Sequence, residues 1–143
     1  MINQRTGPYG ILLLRVSLGL LFLAHVGLKI FVFTIPGTVG FFESLGFPAT
    51  VAYAVIALEL LGGIALIIGF YAPYVAWPLA VEIFGTIVTV HGANGWLFTS
   101  PKGGWEYPAF LSVAALVQAL LGAGVFGLTS ARATGARTKL QAA

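Results

Sequence analysis

The chain alternates between long apolar runs and short polar or turn-rich stretches, and the lengths of those runs set its fold class. Residues 49–70, ATVAYAVIALELLGGIALIIGF, hold a single charge, Glu59, near their middle. A helix crosses the hydrocarbon core of a bilayer with about 20 mostly apolar residues at about 1.5 Å of rise each. This run therefore predicts a membrane span. A carboxylate at its centre carries a penalty of about 2.5–3.5 kcal/mol even on mild insertion scales, so a partner charge, a proton, water or a ligand must offset it. Three further apolar runs, at residues 9–33, 73–90 and 108–128, complete an expected set of four spans, with Arg15 in the first and Glu82 near the middle of the third.

The stretches between the runs are rich in turn residues. Ile35-Pro36-Gly37 breaks the first helix, and Phe41, Phe42 and Leu45 predict a short interfacial helix over residues 38–45. Tyr71-Ala72-Pro73 has room only for a tight antiparallel hairpin. Asn94-Gly95 and Lys102-Gly103-Gly104 mark a long loop, in which residues 96–99 are expected to pair with 105–107 as a small ribbon. Pro108 suits the first turn of the last helix. The expected architecture is all-α, a single integral membrane four-helix bundle over residues 1–143 with a polar, basic tail at 129–143.

Composition agrees. Of 143 residues, 59% are hydrophobic and 8% charged, against about 25% charged in a soluble domain. The partner these numbers imply is the lipid bilayer. No basic stripe points to nucleic acid. Cysteine is absent, which removes thiolate catalysis, dithiol redox chemistry and iron–sulfur ligation by this chain alone, and no metal site is assigned. The weakly basic start and the charge at Arg15 read as an uncleaved first helix rather than a signal peptide. Arg5, Arg132, Arg137 and Lys139 lie on one side of the spans, whereas Lys29 and Lys102 on the other side are balanced by Glu43 and Glu106. The bias places both termini in the cytoplasm, which requires an even number of spans.

Depth, counted by rise per residue, sorts the polar groups into two tiers. Glu59 and Glu82 fall near the midplane, and Arg15, lower on the first helix, is expected to extend toward them, the two acids sharing a proton. The outer tier holds His25, Lys29, His91 and Glu106, with Asn94, Trp96, Trp105 and Tyr107 around them. Arg15, His25 and Lys29 fall within an arc of about 80° on a helical wheel. Glu82 and His91, nine residues apart, fall on opposite sides of a regular helix. Simpler readings stand beside each role. The Arg15–Glu59–Glu82 set also reads as a structural ion cluster, Lys29 as a side chain reaching for the interface, the tryptophans as an aromatic belt, and Ala115, Ala119 and Ala123 as a packing stripe or a homodimer face. Haem ligation by His25 and His91 lacks any supporting pattern and is disfavoured.

The succession LLLRVSLGLLFLAHVGLK, GFPA, LELLGGIALIIG, TVHGANGW and GGWEYP, spread over residues 11–128, resembles the DoxX family of small bacterial membrane proteins. The resemblance implies a four-helix bundle in the bacterial inner membrane and a link to respiratory oxidoreduction, since relatives include a subunit of thiosulfate:quinone oxidoreductase. The domain of a soluble partner subunit is missing here, so electrons are expected from a soluble or membrane redox partner.

Two function classes follow. The first is a redox-associated subunit that binds quinone or a related apolar ligand, with Arg15, His25, Glu59, Glu82, His91, Trp105 and Glu106 as ligand-binding or proton-handling residues. The second is a small-solute carrier or binding protein using the same polar interior, against which stands the absence of an evident inverted repeat. A purely structural assembly subunit is a third reading.

Overall fold

The structure, a computed structural model, describes residues 3–129. The basic tail, with Arg132, Arg137 and Lys139, lies outside the described residues. Among the described residues five α-helices follow one another: α1 (Gly7–Gly27), α2 (Ile35–Ser44), α3 (Ala49–Ile68), α4 (Ala72–Thr86) and α5 (Glu106–Leu121). Wider π-helical turns extend α1 through Leu28–Val32 and α4 through Ile87–His91, and one 3₁₀ turn, Gly92–Asn94, follows the second of these. No strand occurs among the described residues.

Three continuous helical stretches are long and apolar enough to cross a membrane: Gly7–Val32, Ala49–Ile68 and Ala72–Asn94, of 26, 20 and 23 residues. The fourth apolar helix, α5, has 16 residues, about 24 Å of rise. The sequence pattern carried this helix on to residue 128. Gly122 instead takes φ +87° and Gly124 φ +66°, conformations that glycine adopts without the steric cost of a Cβ. The chain then folds back against the start of α1, where the Val125 amide meets the Pro8 carbonyl at 3.4 Å.

The molecule is apolar on the outside and charged within. Leu13, Phe31, Phe110 and Leu120 are exposed, whereas Arg15, Glu59 and Gln118 are among its most deeply buried side chains. An aqueous fold would not leave such a belt bare; a hydrocarbon surround matches it. Small residues let the helices approach, as expected where lipid tails leave no hydrophobic drive between helices. A Cβ on Gly19 of α1 would stand 2.7 Å from the Gly63 carbonyl oxygen of α3, and one on Gly62 would stand 2.9 Å from Leu79 of α4. Between α4 and α5, Ala76, Ala80, Ala115 and Ala119 are buried, and Ser112 Oγ donates to the Ala80 carbonyl at 3.0 Å. The alanine stripe of α5 is thus used inside the chain. Leu18, Phe22, Leu66, Leu79, Ile83 and Leu111 fill the core between these contacts.

Ile35-Pro36-Gly37, expected to break the first helix, instead forms the first turn of α2, and the break falls at Thr34; the other turns fall where the sequence indicates. Pro48 precedes α3, and Gly69 closes it in the left-handed region with Tyr71 close behind at φ 45°. Thr34 at φ 64° turns the chain from the first π turn into α2, and its side chain accepts from the Gly37 amide at 3.3 Å. The expected ribbon of 96–99 with 105–107 does not form: the loop instead turns its carbonyls onto the amides at the start of α5, with Trp105 N donating to Gly95 O at 3.1 Å and Glu106 N to Trp96 O at 3.1 Å.

Candidate functional site

A cleft of about 760 Å³ opens among α1, α2, α3 and α4, at the end of the bundle where α3 begins. α1 and its π turn supply His25, Leu28 and Lys29, and α2 supplies Thr38, Phe41 and Phe42. Val51 and Val55 come from α3, and Glu82, Thr86, Thr89 and His91 from α4 and its π turn. Its volume falls in the range of small-molecule sites, about 300–1,000 Å³.

The buried carboxylate Glu59 finds its partner in Lys29, not in Arg15. Lys29 Nζ donates to both oxygens of Glu59, at 2.8 and 2.7 Å, and the two side chains are 17% and 1% exposed. Side-chain direction explains the choice. The Cα–Cβ bond of a helical residue tilts toward the helix N-terminus. Helices α1 and α3 run antiparallel, so Lys29 leans inward from the far end of α1 while Glu59 leans outward to meet it. Arg15 tilts toward the α1 N-terminus as Lys29 does, but from its position that direction leads away from Glu59. Its Nη1 donates to the Leu66 carbonyl at 3.0 Å and its Nη2 to the Val125 carbonyl at 3.3 Å. The guanidinium sits at the last turn of α3, where the Leu66 carbonyl also accepts from the Gly69 amide at 3.2 Å, and it opposes the negative end of the helix dipole. The expected inner tier of Arg15 with two glutamates is therefore corrected: Arg15 fastens the ends of α3 and of the segment after α5, and Lys29 has come down from the outer tier.

The π turns matter to this arrangement. In the first, the Phe33 amide reaches back five residues to the Leu28 carbonyl, at 2.9 Å. The Lys29 carbonyl is released and accepts from Thr38 Oγ1 at 2.9 Å, fixing α2 over the cleft. In the second, the additional residue per turn retards the rotation by about 100°, so Glu82 and His91, opposed on a regular helix, both reach the cleft. Wide turns of this kind are frequent at functional sites.

Glu82 lines the cleft, and neither of its carboxyl oxygens accepts a hydrogen bond among the described residues; Oε2 is itself buried. Lys29 and Glu59 are near enough for their charges to act on it. His91 Nδ1 lies 3.0 Å from the Gly103 carbonyl oxygen. A carbonyl only accepts, so this nitrogen carries the proton and ties the ring to the loop. Asn94 Nδ2 donates to the carbonyls of Val90, Lys102 and Gly103 at 3.0, 3.3 and 3.1 Å, which closes the loop on the helix end.

Of the seven residues singled out from the sequence, the cleft collects His25, Glu82 and His91, and Glu59 joins them through Lys29. Arg15 sits at the opposite end of the bundle. Trp105 packs edge-on against Trp96 with ring centroids 4.5 Å apart, and Glu106 Oε1 accepts from the Phe98 amide at 2.7 Å. These last two organise the loop beside the cleft and do not line it. The sequence reading missed the aromatic wall of Phe41, Phe42 and Phe47. The amphipathic pattern of α2 carried that signal, but its folding back over the polar face of α1 did not show.

These features define a multi-pass helical membrane protein with a buried ion pair beside an apolar cleft. The DoxX family model matches residues 10–92, more than half of the chain, and the protein belongs to the DoxX family. Every residue lining the cleft lies within the matched region, whereas Trp105, Glu106 and α5 lie beyond it. The chain is 41% identical over 81 residues to the Bacillus subtilis (strain 168) protein named "Putative oxidoreductase CatD". That match covers 57% of this chain and 59% of the relative, so the chain matches less than two thirds of that protein's length. No solved structure matches the chain.

Proposed function

We propose that this protein is a redox-associated subunit of the bacterial inner membrane, with both termini in the cytoplasm, and that its cleft holds a quinone or a related apolar ligand. One observation carries the reading: an apolar cleft of about 760 Å³ with His25, Lys29, Glu82 and His91 on its walls. An apolar ring and tail suit the phenylalanine and valine walls. Groups able to give and take protons at a ring oxygen are what quinone reduction and oxidation need from a protein. The name of the relative, an oxidoreductase, points the same way.

The chain contains no cysteine to relay electrons, so in this reading they come from a partner or a bound cofactor. Glu82 and the two histidines handle protons and orient the ligand, while the Lys29–Glu59 pair keeps the floor of the cleft in register. Arg15, Trp105 and Glu106 hold the ends of the bundle and act on the site only through its shape.

The test is ligand retention by the purified full-length protein in lipid nanodiscs. Solvent extraction and ultraviolet spectra should reveal a bound quinone, or saturable binding of an added short-chain ubiquinone or menaquinone. Binding should fall in Glu82→Gln and His25→Ala, and should persist in Glu43→Gln, whose parent residue is exposed on α2. Stable variants that all bind normally, or a parent protein that neither retains nor binds quinone, would overturn the reading.

A further inference from the structure

The charges on the cleft do not balance, and its walls are aromatic. Five ionisable groups face it or its floor: His25 and Lys29 from α1, Glu59 from α3, and Glu82 and His91 from α4. No ionisable residue of α2 does. The Lys29 ammonium is held by both oxygens of Glu59, so the only lysine or arginine cation of the cleft is already matched. His91 is tied by Nδ1 to the loop. Glu82 remains, with a buried oxygen that no group among the described residues satisfies. The same cleft is lined by Phe33, Phe41, Phe42 and Phe47, with the Phe41–Phe42 and Phe42–Phe47 centroids 6.1 and 6.4 Å apart.

A buried carboxylate oxygen without a partner is costly. Phenylalanine faces carry a negative quadrupole that attracts cations. An anion would find no free ammonium here, and an apolar guest with neither a proton to donate nor a positive charge would leave the Glu82 carboxylate unmet. We propose that the cleft is also a receptor site for amphipathic organic cations, an ammonium or phosphonium centre on an apolar body, recognised by Glu82 together with the phenylalanine wall. The cleft lies at the end of the bundle where α3 begins, and amphipathic cations gather at membrane interfaces with the apolar body in lipid and the charge at the surface. This inference does not rest on the quinone reading, and either can fail alone.

The experiment uses the full-length protein in nanodiscs of neutral lipid, with tetraphenylphosphonium as the cation and triphenylphosphine oxide as its uncharged counterpart. Equilibrium binding should show a saturable site for the cation, with affinity at least about tenfold above that for the neutral compound. Glu82→Gln should remove that difference, Glu82→Asp should restore most of it, and Glu43→Gln should leave it unchanged. Equal binding of charged and neutral probes by the parent protein would overturn the proposal, and that comparison needs no variant to fold. Full cation affinity in a folded Glu82→Gln variant would overturn it too. Quinone retention, measured on the same samples, reports separately on the other reading.

Discussion

Replacing Lys29 by methionine removes the partner of a carboxylate that is 1% exposed and leaves its shape nearly intact. At the observed separation of 2.7 Å, with an effective dielectric constant of about 20, the attraction is worth several kcal/mol. Desolvation of both ions offsets much of that, so the pair itself adds little net stability; breaking it from one side typically costs about 3–5 kcal/mol. Lys29→Met strands Glu59 beside Glu82, and belongs at the upper end of that range. Glu59→Met leaves Lys29, which is 17% exposed and close to the outer edge, free to swing toward water or toward Glu82. It should cost less, about 2–3 kcal/mol on the same basis. The double variant, with two well-packed apolar side chains, should fall within about 1 kcal/mol of the parent. A double-mutant cycle by detergent-titration unfolding, followed by circular dichroism in mixed micelles, reads these differences. Costs that add to within about 0.5 kcal/mol would mean that the two side chains do not interact, and the assignment of Lys29 as the counter-ion would fall.

Arg15→Leu should destabilise the bundle by about 2–4 kcal/mol through two lost charge-assisted bonds to carbonyls. Its effect should add to that of Glu59→Met, because Leu66 lies seven residues, about 10 Å of helix rise, from Glu59; coupling in the same unfolding assay would refute this. Gly69→Ala should lower stability by more than about 1 kcal/mol, since φ is +69° and the new Cβ would collide with the Arg15 guanidinium. Gly19→Ala should cost about 1–3 kcal/mol by forcing α1 from α3, while Gly85→Ala, with nothing within 4 Å, should be nearly silent; thermal melts of the pair compare them directly. Single cysteines introduced at the tail and in the loop after Asn94, in a chain that has none, should label from outside intact cells only in the loop; an accessible tail would overturn the proposed topology.

The hydrophobic pattern by itself determined the fold class, three helices of span length, the tight turn before α4 and the place of Glu59 at the middle of α3, because span length and insertion cost are properties of a segment and its solvent. It did not determine which cation meets Glu59. Arg15 and Lys29 share one face of α1, and a helical wheel cannot separate them; the choice follows from the tilt of side chains on antiparallel helices, which exists only once α3 has packed against α1. Nor could a wheel bring Glu82 and His91 to one cleft, since a regular helix opposes them and only the π turn at Ile87–His91 reunites them. The end of α5 divides the same way: Gly122 and Gly124 permit the break, but the Arg15 guanidinium and the start of α1 hold the chain that follows it. Local length and composition are written in the sequence, whereas partners among similar residues are decided by geometry between helices.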